Sequence, residues 1–503
     1  MLKNILEYFE KTVSLFPEKR AVADKTESYT FIQLKNAAAC IADAINSCGR
    51  DVRCVAVFAD RAALTLAMFL GVLYSGKHYI PLDPSMPSEK MKKILADSDI
   101  EIIIGNSQGR EKAEGLSFDG DYISADTLSA ENTDYAIPDT DMSDTLYTVY
   151  TSGSTGTPKG VVKSHRAMAS FIDAYTKTFG FDENEVIGNQ TPFFFDASAK
   201  DIYLMIKTGA TMEILPTEMF SFPVTLIDYM NERKVTFVSW VPSALTIVTT
   251  FNTFKEIKPE FLRKVFFVGE AFPAKHLRKW MEALPDIEYV NLYGSSETAG
   301  ICCYSVITQS PAEDGTLPIG RPLSNCKVFL CDDGEYITEK CRHGEIIVSG
   351  DALADEYKND PEKTANSFFV TKLPDGTEAR VFRTGDIAQY DENGELCFVS
   401  RKDSQIKHMG HRIELGEIEA AAMGVAGIHR CCCIYNKAKM KIILVCELSD
   451  GTEMTGIEIR RELRNILSDY MVPQKVMLMD KLPLNANGKT DRKLIEQIVF
   501  KEK

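Results

Sequence analysis

The sequence lacks the features of a membrane, secreted or nucleic-acid-binding protein. No apolar run is long enough to cross a bilayer, and the opening residues, MLKNILEYFEKTVSLFP, carry charges where a signal peptide has an apolar core. Basic residues are in deficit, giving a net charge of -15 at pH 7, whereas nucleic acids and anionic membranes favour a basic face. We therefore expect a cytoplasmic protein that binds neither.

The cysteines predict neither a zinc site nor a disulfide framework. None of the 13 lies in a CxxC or Cys/His arrangement with zinc spacing. They include the adjacent runs Cys302-Cys303 and Cys431-Cys432-Cys433, which suit disulfide pairing poorly. Reduced thiols fit a cytoplasmic protein.

The chain is too long for a single core. At 503 residues it should form at least two domains, and it contains no repeats, low-complexity tracts or proline-rich linker. From Arg53 onward, short β-rich apolar runs alternate with helical patterns, as in parallel sheets covered by helices. We predict an α/β protein in which residues 1–402 form a large N-terminal domain with doubly wound parallel-type sheets.

After about residue 402 the pattern changes. Helices are predicted over 415–428 and 456–472, separated by a hairpin that turns near Asn436. We predict that residues 403–503 form a small, mobile α+β C-terminal domain joined to the first by a tight hinge.

The most informative stretch is YTSGSTGTPKG, residues 150–160. Its glycines allow close backbone approach, and its hydroxyls and N–H groups can surround phosphate oxygens. Pro158 precedes Lys159, no Ser or Thr follows that lysine, and both flanks (LYTVY and GVVKSH) are predicted strands. A Walker A loop has neither property. The alternative is a polar hairpin loop without a ligand.

The loop resembles the phosphate loop of the acyl-adenylate-forming superfamily, and other motifs of that superfamily follow in order along the chain. The closest similarity is to amino-acid adenylation domains of non-ribosomal peptide synthesis and to D-alanine–carrier-protein ligases. The motifs are YIPLDPSMP at 79–87, FFFDAS at 193–198, FVGEAFP at 267–273, NLYGSSET at 291–298, HGEIIVSG at 343–350, FRTGD at 382–386, SRKDSQIKHMGHRIELGEIE at 400–419 and NANGKTDR at 485–492.

The resemblance implies an ATP site. Asn291 is expected at the adenine edge with Tyr293 against the ring, Asp386 would accept the ribose hydroxyls, and Arg401 would add a contact to the ribose or phosphates. Taken alone, Asp386 could be a turn residue and Arg401 a solvated charge. The implied ATP-binding residues are Thr151, Ser152, Gly153, Ser154, Thr155, Glu270, Asn291, Leu292, Tyr293, Gly294, Ser295, Ser296, Asp386 and Arg401.

The resemblance also implies the catalytic residues and the cofactor. Lys159 would cradle the outgoing pyrophosphate, Glu297 would hold Mg²⁺, and Lys489 would be the mobile lysine that bridges the substrate carboxylate and the phosphate. The implied hinge of the C-terminal domain is Asp403. Ser295 replaces the proline usual in the YGPTE-like segment, but no charged or metal-binding group is lost.

Asp196 is the predicted specificity residue. In the amino-acid branch an aspartate here pairs with the substrate's α-ammonium, and a buried, unpaired carboxylate is costly enough to require a cationic partner. The alternative is a helix N-cap just before Ala197. The predicted substrate-binding residues are Asp196, Ala197, Lys200, Ala244, Phe266, Val268, Leu292, Gly300 and Ile301.

Lys200 is unusual on such a wall. It either extends out to water or meets an acidic or polar substrate side chain. The bulky Phe266, Val268 and Leu292 favour a compact substrate. D-alanine ligases carry an apolar residue at the Lys200 position and a cysteine at the Val268 position, which weakens D-alanine as the substrate.

The predicted activity is formation of an aminoacyl-AMP from an amino acid and ATP, followed by transfer to a phosphopantetheine thiol. Because only a few residues follow NGKTDRKLI and no GG-(H/D)-S-(L/I) attachment site occurs, we expect the carrier protein to be separate. We expect a monomer. The rivals are an acyl- or aryl-CoA ligase, which has no use for Asp196, and a non-catalytic nucleotide-binding protein, which has no need of the charged residues above.

Overall fold

The structure is a computed structural model that describes residues 2–129, 135–153, 158–312, 315–437, 439–484 and 490–501. It divides into two compact units. The first comprises Met1–Pro84, Asp97–Val149 and Gly160–Lys402, and the second Ser85–Ala96, Tyr150–Lys159 and Asp403–Lys503. No helix among the described residues is long and apolar enough to span a membrane.

The first sheet is mainly parallel. Six neighbouring strands of its described part run parallel, and antiparallel strands lie at both edges. In spatial order, with labels numbered along the chain, it contains β15 (Arg321–Pro322), β14 (Cys303–Val306), β13 (Glu288–Tyr293), β12 (Lys264–Val268), β11 (Phe237–Trp240), β9 (Val186–Asn189), β10 (Thr211–Ile214), β1 (Arg20–Ala23) and β2 (Ser28–Thr30).

The second sheet is also built around parallel strands, which are almost continuously apolar because both faces are covered. The predicted α/β class is confirmed. In spatial order the sheet contains β19 (Glu356–Tyr357), β8 (Lys159–Ser164), β7 (Thr145–Thr151), β4 (His78–Leu82), β3 (Cys54–Phe58), β5 (Ile102–Gly105) and β6 (Asp121–Ser124).

The third sheet is antiparallel, and the sequence patterns did not predict it. Its longest strand places Asp386 directly opposite Arg401 on the neighbouring strand. In spatial order it contains β17 (Glu335–Ile337), β16 (Cys326–Asp332), β18 (Gly344–Gly350), β21 (Glu378–Tyr390) and β20 (Phe368–Lys372), with β22 (Leu396–Arg401) paired to β21.

Helices lie between successive strands of the first two sheets along the chain. α6 shows how local sequence sets helix ends: the Ser164 hydroxyl accepts a hydrogen bond from the Ala167 N–H, and Gly180 ends the helix with φ +63°. The helices are α1 (Leu6–Leu15), α2 (Phe31–Ser47), α3 (Ala63–Tyr74), α4 (Ser88–Asp97), α5 (Gly109–Glu114), α6 (His165–Phe179), α7 (Ala199–Thr208), α8 (Pro223–Glu232), α9 (Pro242–Thr250), α10 (Ala274–Ala283) and α11 (Pro361–Ser367).

The C-terminal segment of the second unit is α+β, as predicted, with the hairpin turning after Asn436. Both predicted helices were too long. The first ends at Met423, followed by Gly424, and the second at Arg464, with only a 3-10 turn further on at Asp469–Met471. The elements are β23 (Gln405–His408), β24 (His411–Glu414), α12 (Leu415–Met423), β25 (Ile428–Asn436), β26 (Lys441–Leu448), α13 (Gly456–Arg464), β27 (Lys475–Leu478) and α14 (Arg492–Lys501).

Candidate active site

The carboxyl ends of parallel strands in the first sheet carry most of the predicted site residues. Asp196 lies in the connection after β9, Glu270 follows β12, and residues 294–301 follow β13. Because these strands run parallel, their carboxyl ends share one edge of the sheet, where α/β proteins commonly bind ligands. The alternation of strands and helices along the chain therefore brings the segments after β9, β12 and β13 to the same edge of the sheet.

Tyr293, Asp386 and Arg401 form a buried charged group, here called the Asp386 cluster. The Tyr293 hydroxyl donates to Oδ2 of Asp386 at 2.5 Å, and the Arg401 guanidinium donates to Oδ1 at 2.5 Å. Burial raises the pKa of Tyr293 well above its ordinary value, and the Asp386 charge raises it further. Tyr293 is therefore a protonated donor at neutral pH, and neither Asp386 nor Arg401 is a solvated surface residue.

Two further predicted ATP residues are held by the backbone around the same sheet edge. The Asn291 side-chain amide donates to the Pro318 carbonyl at 2.7 Å, and a Glu270 carboxylate oxygen accepts from the Ser243 N–H at 3.2 Å. Both contacts restrict the side-chain rotamer. Leu292, between Asn291 and Tyr293, is buried.

The loop after β13 is tightly packed. A Cβ on Gly294 would lie 2.4 Å from the Gly300 carbonyl oxygen, so only glycine fits there. Ser295 precedes a 3-10 turn over Ser296–Thr298. Glu297 in that turn is fully buried, and its Oε1 accepts from the Tyr357 hydroxyl at 2.8 Å.

Asp196 belongs to a second buried polar group, the Asp196 cluster, formed by Tyr147, Lys163 and Asp196. Tyr147 donates to Oδ1 of Asp196 at 2.8 Å, and the Lys163 amine donates to the same oxygen. The other oxygen, Oδ2, is buried without a hydrogen-bond partner within the described part of the chain. It lies 3.6 Å from the position that a Cβ on Gly300 would take. Gly300 therefore leaves open space in front of Oδ2.

The protonation states of the cluster follow from burial and charge. Burial lowers the pKa of Lys163, whereas the charges of Asp196 and Glu297 raise it. Burial raises the pKa of Tyr147 well above its ordinary value, and Asp196 raises it further. The cluster thus joins the Lys163–Asp196 ion pair to a phenol that stays neutral at pH 7.

This arrangement changes the argument for Asp196. The burial of Asp196 does not by itself require a cation from the substrate, because Lys163 supplies one from within the protein. The N-cap alternative was wrong. Asp196 begins a 3-10 turn with no side-chain cap, and α7 after it also begins without one.

Lys200 does not extend to water. Its side chain is 3% exposed, its amine donates to the Ala197 carbonyl at 2.9 Å, and it lies 3.4 Å from Oδ1 of Asp201. Asp201 also accepts from the Asn189 amide at 2.9 Å. A buried lysine amine needs partners: the Ala197 carbonyl in the 3-10 turn before α7 accepts its hydrogen bond, and Asp201 in α7 supplies the opposite charge.

The remaining predicted wall residues are mostly buried and apolar. Val268 and Leu292 are direct neighbours in the sheet. Phe266 packs edge-on against Phe179, with ring centroids 4.6 Å apart. Phe266, Val268, Leu292 and Ile301 belong to one hydrophobic core. Ala244 belongs to another and does not share their packing.

The phosphate loop is described in part. Thr151 ends β7, the Ser152 hydroxyl donates to the Arg412 carbonyl at 2.7 Å, and Lys159 begins β8. Gly153 is buried. The predicted residues Ser154, Thr155 and Lys489 lie outside the described residues.

The proposed hinge residue is exposed. Oδ1 of Asp403 accepts from the Gln405 N–H at 3.1 Å. Just before it, Lys402 donates from its amine to Glu345 at 3.0 Å and from its N–H to the Gly385 carbonyl at 2.9 Å. The chain is thus held to the third sheet as far as Lys402.

Three site residues, Tyr147, Lys163 and Tyr357, were not predicted from the sequence. Lys163 alone had a visible signal, because it is the single charged residue within the otherwise buried part of a predicted strand, GVVKSH. A charge at an inward position of a strand indicates a buried partner. The two tyrosines carried no such signal.

Glu297 is the candidate residue for metal ligation. Among the described residues, no group of three or more His, Cys, Asp or Glu side chains could hold a metal ion. Glu297 is a buried carboxylate, the hard oxygen donor that Mg²⁺ prefers, and Mg²⁺ commonly takes one or two carboxylates plus substrate phosphates.

Comparison with known proteins gives matches over nearly the whole chain. Residues 9–358 match the model of the AMP-binding enzyme family, and residues 417–489 match that of the AMP-binding enzyme C-terminal domain. The chain is 30% identical to zwittermicin A synthase ZmaJ of Bacillus cereus over 98% of its length and 94% of that protein.

Two more proteins share the similarity over nearly the whole chain. Bacitracin synthase 3 of Bacillus licheniformis is 30% identical over 98% of this chain, which spans only 8% of that longer protein. The structure of holo-PA1221, an NRPS protein containing adenylation and PCP domains, has the same fold, with a TM-score of 0.86 at 24% identity over 99% of this chain and 84% of that one.

The two parallel-type sheets, the smaller C-terminal α+β region and the matching family models define an adenylate-forming enzyme that uses ATP. The chain belongs to the AMP-binding enzyme family, and within it stands close to the adenylation domains of non-ribosomal peptide synthetases.

Proposed function

We propose that the protein activates an amino acid as its aminoacyl-AMP and passes the aminoacyl group to the phosphopantetheine thiol of a separate carrier protein. The observation that carries this proposal is Oδ2 of Asp196, a buried acceptor without a hydrogen-bond partner among the described residues, next to the open space at Gly300. A carboxylate oxygen can only accept, so its missing partner is an N–H or O–H group. An α-ammonium supplies one.

The Asp386 cluster is the proposed ribose site. Each Asp386 oxygen already accepts one hydrogen bond and keeps lone-pair capacity for a ribose hydroxyl. Arg401 pairs with that carboxylate and holds it in place. Asn291 and Glu270, fixed by their backbone contacts, would border the adenine.

Adenylation needs cationic clamping more than acid–base chemistry. The substrate carboxylate is already a nucleophile at pH 7, and it must approach a negatively charged α-phosphate. Lys159 would bind the outgoing pyrophosphate, and Lys489 would bridge carboxylate and phosphate. Glu297 would hold Mg²⁺ with the phosphate oxygens, and the bound ion would neutralise part of their charge.

Thioester formation needs the thiol to reach the carbonyl that Lys489 guards. We propose that residues 403–503 rotate about Asp403 as a mobile domain relative to residues 1–402, so that the two steps use different faces of that domain. The match to a synthase of similar length and to a protein with adenylation and PCP domains supports a carrier as the acceptor. We propose that the enzyme acts as a monomer in the cytoplasm.

Amino-acid-dependent pyrophosphate exchange across a panel of L- and D-amino acids tests the proposal. Asp196→Asn should raise the KM of the preferred amino acid about 10- to 100-fold, because a hydrogen bond to a charged acceptor contributes roughly 1.5–3 kcal/mol. The KM for ATP should stay nearly constant. Asp196→Ala is a poorer test, because it removes the oxygen that accepts from Tyr147 and Lys163, whereas asparagine keeps one acceptor oxygen.

Asp201→Asn is the matched control, because Asp201 is also a buried carboxylate paired with a lysine but is directed to Lys200 and Asn189. Its amino-acid KM should change less than about threefold, within the range of an indirect effect. Exchange that depends on aryl or fatty acids, and is unaffected in Asp196→Asn, would instead establish a CoA-ligase-like enzyme.

The carrier step has its own test. Intact-mass measurement after incubation with ATP, the preferred amino acid and phosphopantetheinylated carrier proteins should show the aminoacyl group on a carrier. Co-expression with a phosphopantetheinyl transferase should add no mass to this chain, and a stoichiometric pantetheine adduct on it would contradict transfer to a separate protein.

A further inference from the structure

Lys163 is a fully buried cation with no role in the reaction described above. Its amine donates to Oδ1 of Asp196 and lies 5.3 Å from the centre of the Tyr147 ring. The side chain is 0% exposed. Burying an ammonium is costly. The ion pair with Asp196 and the contact with the Tyr147 ring together offset that cost.

The pairing changes what Asp196 requires of a substrate. A lone buried carboxylate requires a cation, but this one already has an ammonium and a phenol on Oδ1. The charge of a second carboxylate, Glu297, also raises the pKa of Lys163. In the proposed function, that charge would be offset by Mg²⁺. What remains unsatisfied is the hydrogen-bonding capacity of Oδ2.

We propose that Lys163 is a specificity-determining residue, and that it allows the enzyme to activate α-hydroxy acids as well as α-amino acids. By neutralising Asp196 from within the protein, Lys163 lets Oδ2 accept a hydrogen bond from an uncharged hydroxyl at the α-carbon. The inference rests on the proposed function, because it concerns the same substrate site.

The energetic logic is that of unpaired polar groups. A site built to hydrogen-bond a donor strongly rejects an analogue that has none, because the buried acceptor stays unsatisfied. It discriminates far less between two analogues that both donate. A substrate with an α-ammonium would be strongly preferred over one with an α-hydroxyl only if Asp196 had no cationic partner in the protein.

The chemical step is the same for both acids. A carboxylate oxygen forms a bond to the α-phosphorus of ATP, the bond from that phosphorus to the bridging oxygen breaks, and pyrophosphate leaves with the electron pair. The α-hydroxyl takes no part in bond making and keeps its proton while donating to Oδ2.

The experiment is pyrophosphate exchange with three matched acids: the preferred amino acid, its α-hydroxy analogue and its des-amino analogue. In the wild type, kcat/KM of the hydroxy acid should lie within about tenfold of that of the amino acid. The kcat/KM of the des-amino acid should be roughly 100-fold or more below that of the amino acid. Lys163→Met should lower the kcat/KM of the hydroxy acid about 100-fold relative to that of the amino acid, because Asp196 then requires a cation from the substrate.

Tyr147→Phe is the matched variant, since it removes a hydrogen bond to the same Asp196 oxygen without removing charge. Its hydroxy-to-amino ratio should stay within about threefold of the wild type, as expected when the net charge of the cluster is retained. The ATP KM and thermal unfolding of each variant check that it is folded. If Lys163→Met does not fold, the wild-type ranking of the three acids still decides.

The outcomes separate the two proposals. An active amino-acid enzyme that rejects the hydroxy acid as strongly as the des-amino acid overturns this inference alone. An unchanged hydroxy-to-amino ratio in folded Lys163→Met also overturns it. Absence of exchange with every amino and hydroxy acid overturns this inference together with the proposed function.

Discussion

Asp386→Asn should damage both stability and ATP binding, because Asp386 joins a buried tyrosine to a mostly buried arginine. Asp386 is 4% exposed, and the Arg401 side chain is 12% exposed. Asparagine keeps the shape but removes the negative charge and one acceptor oxygen. Breaking a fully buried ion pair costs roughly 3–5 kcal/mol, and the partial exposure of Arg401 reduces our expectation to about 2–4 kcal/mol.

The loss of unfolding free energy can be measured by urea unfolding, with tryptophan fluorescence as the signal. The two tryptophans, Trp240 and Trp280, are fully buried and lie in the same compact unit as Asp386. In pyrophosphate exchange, the same variant should raise the KM for ATP about 10- to 100-fold, the loss expected for one charged hydrogen bond of roughly 1.5–3 kcal/mol. The amino-acid KM should change little.

The double variant Asp386→Leu/Arg401→Met isolates the pair. Removing both charges should cost less stability than the sum of the two single changes, because neither charge is then left buried alone. Strict additivity, or a fully stable Asp386→Asn with an unchanged ATP KM, would refute the reasoning that Arg401 and Tyr293 hold this carboxylate for ATP.

Three further predictions follow from single residues. Burial lowers the pKa of His165 to about 4, so its neutral form stabilises the fold above pH 6.5 and that contribution is lost as the pH falls towards 4. His165→Gln should therefore reduce the loss of unfolding free energy between pH 7 and pH 4.5, by about 2–3 kcal/mol. Lys200→Met should shift the ranking of exchange substrates from acidic or polar towards small apolar amino acids, and an unchanged ranking would limit Lys200 to its contacts with Ala197 and Asp201. Lys489→Ala should lower adenylate formation at least about 10²–10³-fold yet still load a carrier from preformed aminoacyl-AMP, whereas Asp403→Pro should do the reverse; loss of both steps in both variants would contradict the two-conformation mechanism.

Much of the fold was predictable because its signals are local. Alternating apolar runs and helical patterns predicted the parallel sheets, and turn-forming residues predicted the hairpin that turns after Asn436. The helix ends were predicted less well: apolar residues continue the pattern beyond Met423, but Gly424 and Gly427 follow it. The antiparallel third sheet was not predicted, although the pairs β16–β17, β20–β21 and β21–β22 are hairpins with short connections.

The candidate site divides in the same way. The sequence by itself determined the ordered motifs, and with them the segments that hold Asn291, Glu297 and Asp386. Only the tertiary structure decided the partners of the buried charges. Lys163 lies on a strand of the second sheet and Asp196 in a connection of the first, so their ion pair exists only once the two sheets have packed. The sequence shows which residues are charged, but the partner of a buried charge is determined by packing between segments that are distant in sequence.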